Sequence, residues 1–135
     1  MSKKWLLHTA NRPTLENTRL LAGTESNGIL ESRARHLLIA NGQGRLRVDT
    51  IYPERSITRF IGGTDYQYYV ETDGDDTELS GKNMIEGVNR QPWFEEALWR
   101  VEIQPETASL EDHFLTVLTP SLNDFRDPAS APPEN

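Results

Sequence analysis

Cysteine is absent from the 135-residue chain. Its absence removes disulfides, thiolate zinc sites and a cysteine nucleophile together. It leaves the compartment open, because a disulfide-free domain can live in the cytosol or the periplasm. Positive charge is scarce: 14 Lys and Arg stand against 21 Asp and Glu, a formal net charge of −7. Nucleic acid prefers a basic surface and is not an expected partner. Long apolar runs are missing too. The opening "MSKKWLLHTANRP" has the basic start of a secretory signal, but its apolar run stops after Trp5, Leu6 and Leu7, short of the ~7–15 residues such a signal needs. Nothing elsewhere approaches the ~18 apolar residues of a membrane span, and no membrane partner is expected. A helical stripe is lacking as well; "PWFEEALW" has room for a turn or two at most.

What the chain does have is short alternating segments. Apolar residues make up only 36%, low for a globular chain and fitting sheets with one solvated face each. Residues 3–9, 35–40, 45–52, 56–61, 66–72, 98–103 and 113–119 are rich in β-branched and aromatic residues and bounded by turn signals. In "RLRVDTIYP", Leu46, Val48, Thr50 and Tyr52 alternate with Arg45, Arg47 and Asp49, the period of a half-buried strand. "ALWRVEIQP" places Trp99, Val101 and Ile103 on one face and Arg100 and Glu102 on the other. "NGQG" at 41–44 predicts a tight hairpin, and Gly62 and Gly63 predict a second between 56–61 and 66–72. Pro53, Pro105 and Pro120 are each expected to close a strand. The expected fold is all-β: one antiparallel β-sandwich of about seven to nine short strands over 1–122. The acidic stretch 72–83 reads as an exposed loop, and the proline-rich tail 123–135 as disordered.

The quoted segments come in a recognisable order. "KKWLLH", "GRLRVDTIYPE", "IGGTDYQYYV", "GKN", "WRVEIQP" and "DHFLTVLTP" together resemble the C-terminal β-sandwich of heparinase II/III-like polysaccharide lyases. The resemblance covers roughly Lys3 to Pro120; residues 16–33 and 88–96 match nothing in that pattern. It implies a domain that packs against the catalytic domains of a parent lyase, which cleaves uronate-containing polysaccharides by β-elimination. "KKWLLH" is then the strand by which the chain leaves a preceding domain, and the chain is a fragment or a free-standing copy of an accessory domain. The resemblance also implies a periplasmic or extracellular setting and an acidic polysaccharide as a further partner. In those enzymes the metal and the catalytic residues lie in the other domains, so no catalytic residue, metal ligand or cofactor carries over to this chain.

The candidate site residues are few. His8, His36 and His113 are the only histidines, and none has metal-ligand spacing. His8 is expected to fix its strand through a hydrogen bond to the backbone. Tyr66, Tyr68, Tyr69 and Trp93 are candidates for stacking sugar rings; the plainer reading of small-domain aromatics is core. Tyr66, Tyr68 and Tyr69 cannot share one strand face, so at least one is expected to point outward. Trp5 and Trp99 read as core, and Trp93 as a loop residue that is exposed or docked on a partner domain. Arg45, Arg47, Arg59 and Arg100 are expected on solvent-facing positions. On one sheet face they would form a basic strip for uronate carboxylates or sulfates. The alternative is a solvated face on which Asp49 and Glu102 pair with them. Phosphate-loop and Gly-x-Ser-x-Gly signatures are missing. Two rival functions stand beside the accessory domain: a free-standing carbohydrate-binding module, requiring an exposed aromatic row, and a small stand-alone lyase, requiring a Tyr or His base beside an Arg or Asn.

Overall fold

The computed structural model describes residues 3–70, 82–83 and 98–122. All regular structure among them is β: β1 (Trp5–Thr9), β2 (Arg19–Thr24), β3 (Asn27–Ser32), β4 (His36–Asn41), β5 (Gly44–Tyr52), β6 (Ser56–Gly62), β7 (Tyr69–Val70), β8 (Lys82–Asn83), β9 (Trp99–Pro105) and β10 (Leu115–Leu122). Five strands form one antiparallel sheet in the order β1-β9-β6-β3-β2, and three form a second in the order β10-β5-β4. β7 and β8 pair as a small ribbon. The expected all-β, two-sheet architecture is what the chain adopts. The expected disordered tail, the possible helical turn of "PWFEEALW" before Leu98, and Trp93 lie outside the described residues.

The core sits between the two sheets. Leu30, Phe60, Val101 and Leu7 stand opposite one another across β3, β6, β9 and β1. With Trp99 and Ile103 they meet Leu37, Ile39 and Val48 from the other sheet. Phe60 and Trp99 pack as a tilted ring pair with centroids 6.0 Å apart. Trp5 takes the inward face expected of it but is only half-buried, because β1 is an edge strand. The two opening lysines are tethers. The Lys3 ammonium donates to the Leu110 carbonyl at 2.8 Å and to Asp112 Oδ2 at 3.1 Å. Lys4 Nζ donates to Glu102 Oε2 at 3.2 Å.

Several expectations are corrected. The β2–β3 hairpin occupies a stretch in which no strand was expected. Its period is hidden because a bulge shifts the register between Leu20 and Ala22, and because Ile29 and Leu30 are buried on opposite faces of β3. The "NGQG" hairpin forms, joining β4 and β5, but the Gly62–Gly63 hairpin does not. β6 pairs with β3 and β9 instead. Gly62 is glycine because a Cβ there would strike the Trp99 ring, and Gly63 has φ +97°, a conformation few other residues accept. The chain then turns at residues 64–68, so the expected strand 66–72 begins only at Tyr69; its residues 71–72 lie outside the described residues. Within the acidic stretch, Lys82 and Asn83 form β8 rather than loop. Pro120 lies inside β10 rather than closing it; β10 is a sheet edge, where a residue without an N–H is tolerated.

Candidate functional site

The outer face of the five-stranded sheet carries the densest chemistry. The register lines up Arg19, Glu31, Arg59 and Glu102 across β2, β3, β6 and β9. Opposite charges therefore alternate across the strands, each facing its complement. Glu31 accepts Arg19 at 3.0 Å on Oε1 and has Arg59 at 3.7 Å from Oε2. Glu102 is held by Arg100 at 3.1 Å on Oε1 and by Lys4 at 3.2 Å on Oε2. Glu102 is only 5% exposed, which corrects its expected solvent-facing position. A buried carboxylate persists when its oxygens are matched by cations, as they are here.

At the Arg100 end of this face the 63–70 segment folds back over the sheet. Arg100 donates both Nη groups to the Tyr69 carbonyl, at 3.2 and 3.1 Å. Asn83 accepts from the Tyr68 backbone N–H at 2.7 Å and donates to the Thr64 carbonyl at 3.1 Å. Asn27 holds Asp65 by a further pair of hydrogen bonds. The Tyr66 and Tyr69 rings stack on each other, centroids 5.1 Å apart, with the Tyr66 ring beside Gly23. Ile29 and Ile61, next to Arg100 in the register, are buried at this end of the sheet. Tyr66, Tyr68 and Tyr69 are all half-buried. The Tyr66 and Tyr69 rings pack together at the turn.

The four candidate arginines do not form one strip. Arg59 and Arg100 lie on the five-stranded sheet, Arg45 and Arg47 on the outer face of the three-stranded sheet. Two sheets packed face to face point their outer surfaces in opposite directions, so the basic strip is excluded. Asp49 and Glu102 do pair with arginines of this set, each with one two residues away on its own strand: Arg47 Nε lies 3.0 Å from Asp49 Oδ2, and Arg100 Nε 3.1 Å from Glu102 Oε1. The histidines stay apart. His8 is exposed on an edge strand and makes no side-chain hydrogen bond to the backbone among the described residues, contrary to expectation. His113 contacts only the exposed Glu111, at 3.2 Å. No cluster of three metal-ligating side chains occurs among the described residues.

One feature of the surface was not anticipated by any motif. A cleft of ≈ 600 Å³ opens where the bend before β2 meets the end of β3 and the link to β4. Glu16, Asn17 and Arg19 line one side, and Arg33 and His36 the other. Its floor is built by Ser32, which is 2% exposed. The Ser32 hydroxyl donates to the Glu16 carbonyl at 2.6 Å and accepts from the Ala34 N–H at 3.0 Å. Asn17, at φ +52°, turns the chain into β2; asparagine tolerates that region better than most residues. The only sequence signal was the polar cluster at 31–36, which alone says nothing of a cleft. No protein-family model matches the chain, and no curated protein matches it either.

Proposed function

We propose that the chain is a non-catalytic C-terminal β-sandwich of a heparinase II/III-like polysaccharide lyase, packing against the catalytic domains of an enzyme that cleaves uronate-containing polymers by β-elimination. One observation carries this reading: the polar residues of the resembling motifs are engaged with one another. Lys4 of "KKWLLH" and Arg100 of "WRVEIQP" hold Glu102. Asn83 of "GKN" pins the turn that follows Gly63. Residues committed in this way support a fold rather than a reaction. Support for docking comes from β10, where Leu115, Val117, Leu118 and Leu122 are 45–78% exposed along an edge strand. Leu118 lies on the Val48 side of the strand and Val117 on the Asp49 side, so both faces of this edge offer apolar contact.

The test is direct. Elimination leaves a conjugated double bond, so heparin, heparan sulfate, alginate and chondroitin sulfate are incubated with the chain and followed by ultraviolet absorbance. No rise is expected. A robust rise that vanishes in Tyr66→Phe or His8→Ala would overturn the reading in favour of a stand-alone lyase. Co-purification with lyase catalytic domains, lost in Leu118→Asp, tests the docking half.

A further inference from the structure

We infer that Asn41, at the tip of the β4–β5 hairpin, is a site of spontaneous deamidation, and that the fold protects the chain's second Asn–Gly pair, Asn27–Gly28, from the same chemistry. The reaction needs no enzyme. The backbone nitrogen of the following residue attacks the asparagine Cγ, the Cγ–Nδ2 bond breaks, and the proton of that nitrogen leaves with the ammonia. Water then opens the cyclic imide at either carbonyl, giving aspartate or isoaspartate. A following glycine leaves the attacking nitrogen unshielded, because it has no Cβ. The sequence marks both pairs alike; the structure separates them.

At Asn41 every group the reaction uses is open. Gly42 and Gln43 form a two-residue loop between Asn41 and Gly44. Gly42 has φ +58° and Gln43 does not have a positive φ, the pattern of a type II′ turn with glycine at its first central position. The Gly42 N–H makes no backbone hydrogen bond among the described residues. Apart from its chain neighbours, no atom lies within 4 Å of the position a Gly42 Cβ would take. The Asn41 side chain is exposed and makes no hydrogen bond among the described residues. An extended strand holds Cγ and the following nitrogen apart, so attack proceeds once the local rung opens. Asn41–Gly44 is the last rung of this ladder, and such ends open at little cost in free energy. The isoaspartyl product carries an additional main-chain carbon at that rung, so the pairing of residues 40–45 loosens.

Asn27 has the same following residue and none of this freedom. Its Nδ2 donates to Asp65 Oδ2 at 2.7 Å, and its Oδ1 accepts the Asp65 N–H at 3.0 Å. The Gly63 backbone lies against it: a Cβ on Gly63 would come within 2.7 Å of Asn27 Oδ1. Gly28 is buried between Gly23 of β2 and Gly62 of β6. Bringing the Asn27 Cγ onto the Gly28 nitrogen requires both release of the side chain and separation of β3 from its neighbours.

The full chain is incubated in mildly alkaline buffer beside a sample of the same chain in denaturing urea, until the denatured sample has converted a large part of both asparagines. Peptide mass spectrometry reads each site, and an isoaspartyl methyltransferase with S-adenosylmethionine titrates the isoaspartate. In the folded chain Asn41 is expected to convert at least about tenfold faster than Asn27, whereas in urea the two rates should be close. Asn41→Ser is expected to abolish the isoaspartate signal of the folded chain at unchanged Tm. Amide exchange at residues 40–45 should quicken as isoaspartate accumulates. The inference is overturned if Asn41 converts no faster than Asn27 in the folded chain, if Asn41 stays intact there while the denatured sample converts, or if the isoaspartate signal survives in Asn41→Ser.

Discussion

The two sheets carry the same local motif and treat it differently. "RVEI" on β9 and "RVDT" on β5 each place an arginine two residues before a carboxylate on the outer face. On β9 the 63–70 segment closes over that end of the face, Glu102 is buried between Arg100 and Lys4, and Arg100 also holds the Tyr69 carbonyl. On β5 nothing comparable covers the pair among the described residues; the Arg47 side chain is 54% exposed, with Asp49 Oδ2 3.0 Å from its Nε. An ion pair thus becomes part of a fold through what lies over it. Its spacing in sequence carries no information about that.

The same contrast explains what could be read in advance. β4 and β5 alternate exposed and buried residues, Leu37, Ile39 and Val48 inward and Leu38 and Arg47 outward. Their one solvated face writes a period of two into the sequence, and both strands and their hairpin were legible. β3 and β6 are covered on both faces. Ile29 and Leu30 are adjacent and both buried, as are Phe60, Ile61 and Gly62. A strand buried on two sides has no alternation to read; β6 was found from its β-branched residues and β3 not at all. Arg59 and Arg100 were placed on the correct strands and away from the core, but not in solvent as expected: their side chains are 21% and 18% exposed. Glu102 was legible as a partner, but Glu31 was not, because Arg59–Glu31 joins residues brought together only by the sheet order. The cleft was illegible for a related reason: it is made by a bend at Asn17 meeting the end of β3.

Substitutions can break or sharpen this comparison. The largest effect belongs to the shared core. Trp99→Ala removes a ring that is 5% exposed and in contact with Phe60, and is expected to cost about 3–5 kcal/mol in chemical denaturation. Trp5→Ala, half-buried on an edge strand, should cost clearly less; equal losses would mean that β1 is as enclosed as β9. Next comes the core side of β6. Gly62→Ala drives a methyl into the Trp99 ring and the Leu98 carbonyl, and a loss of about 1–3 kcal/mol is expected by thermal melt. A neutral result would show that β6 and β9 separate easily at that end. Smaller still is the pin on the cover. Asn83→Ala deletes the hydrogen bonds to Tyr68 and Thr64, at about 1 kcal/mol. Amide exchange should quicken at residues 64–69 and stay unchanged in β4 and β5.

The central claim is that the outer face of the five-stranded sheet is covered around Ile29, Ile61, Arg100 and Glu102, whereas the outer face of the three-stranded sheet around Arg47 and Asp49 is not. Paired double-mutant cycles test it most directly, Arg100→Ala with Glu102→Ala against Arg47→Ala with Asp49→Ala, read by denaturant unfolding. The exposed pair should couple by less than about 0.5 kcal/mol. For the covered pair, Glu102→Ala alone should cost about 3 kcal/mol by leaving Lys4 and Arg100 without their carboxylate, and the coupling to Arg100 should exceed about 1 kcal/mol. Equal couplings in the two cycles would contradict the account.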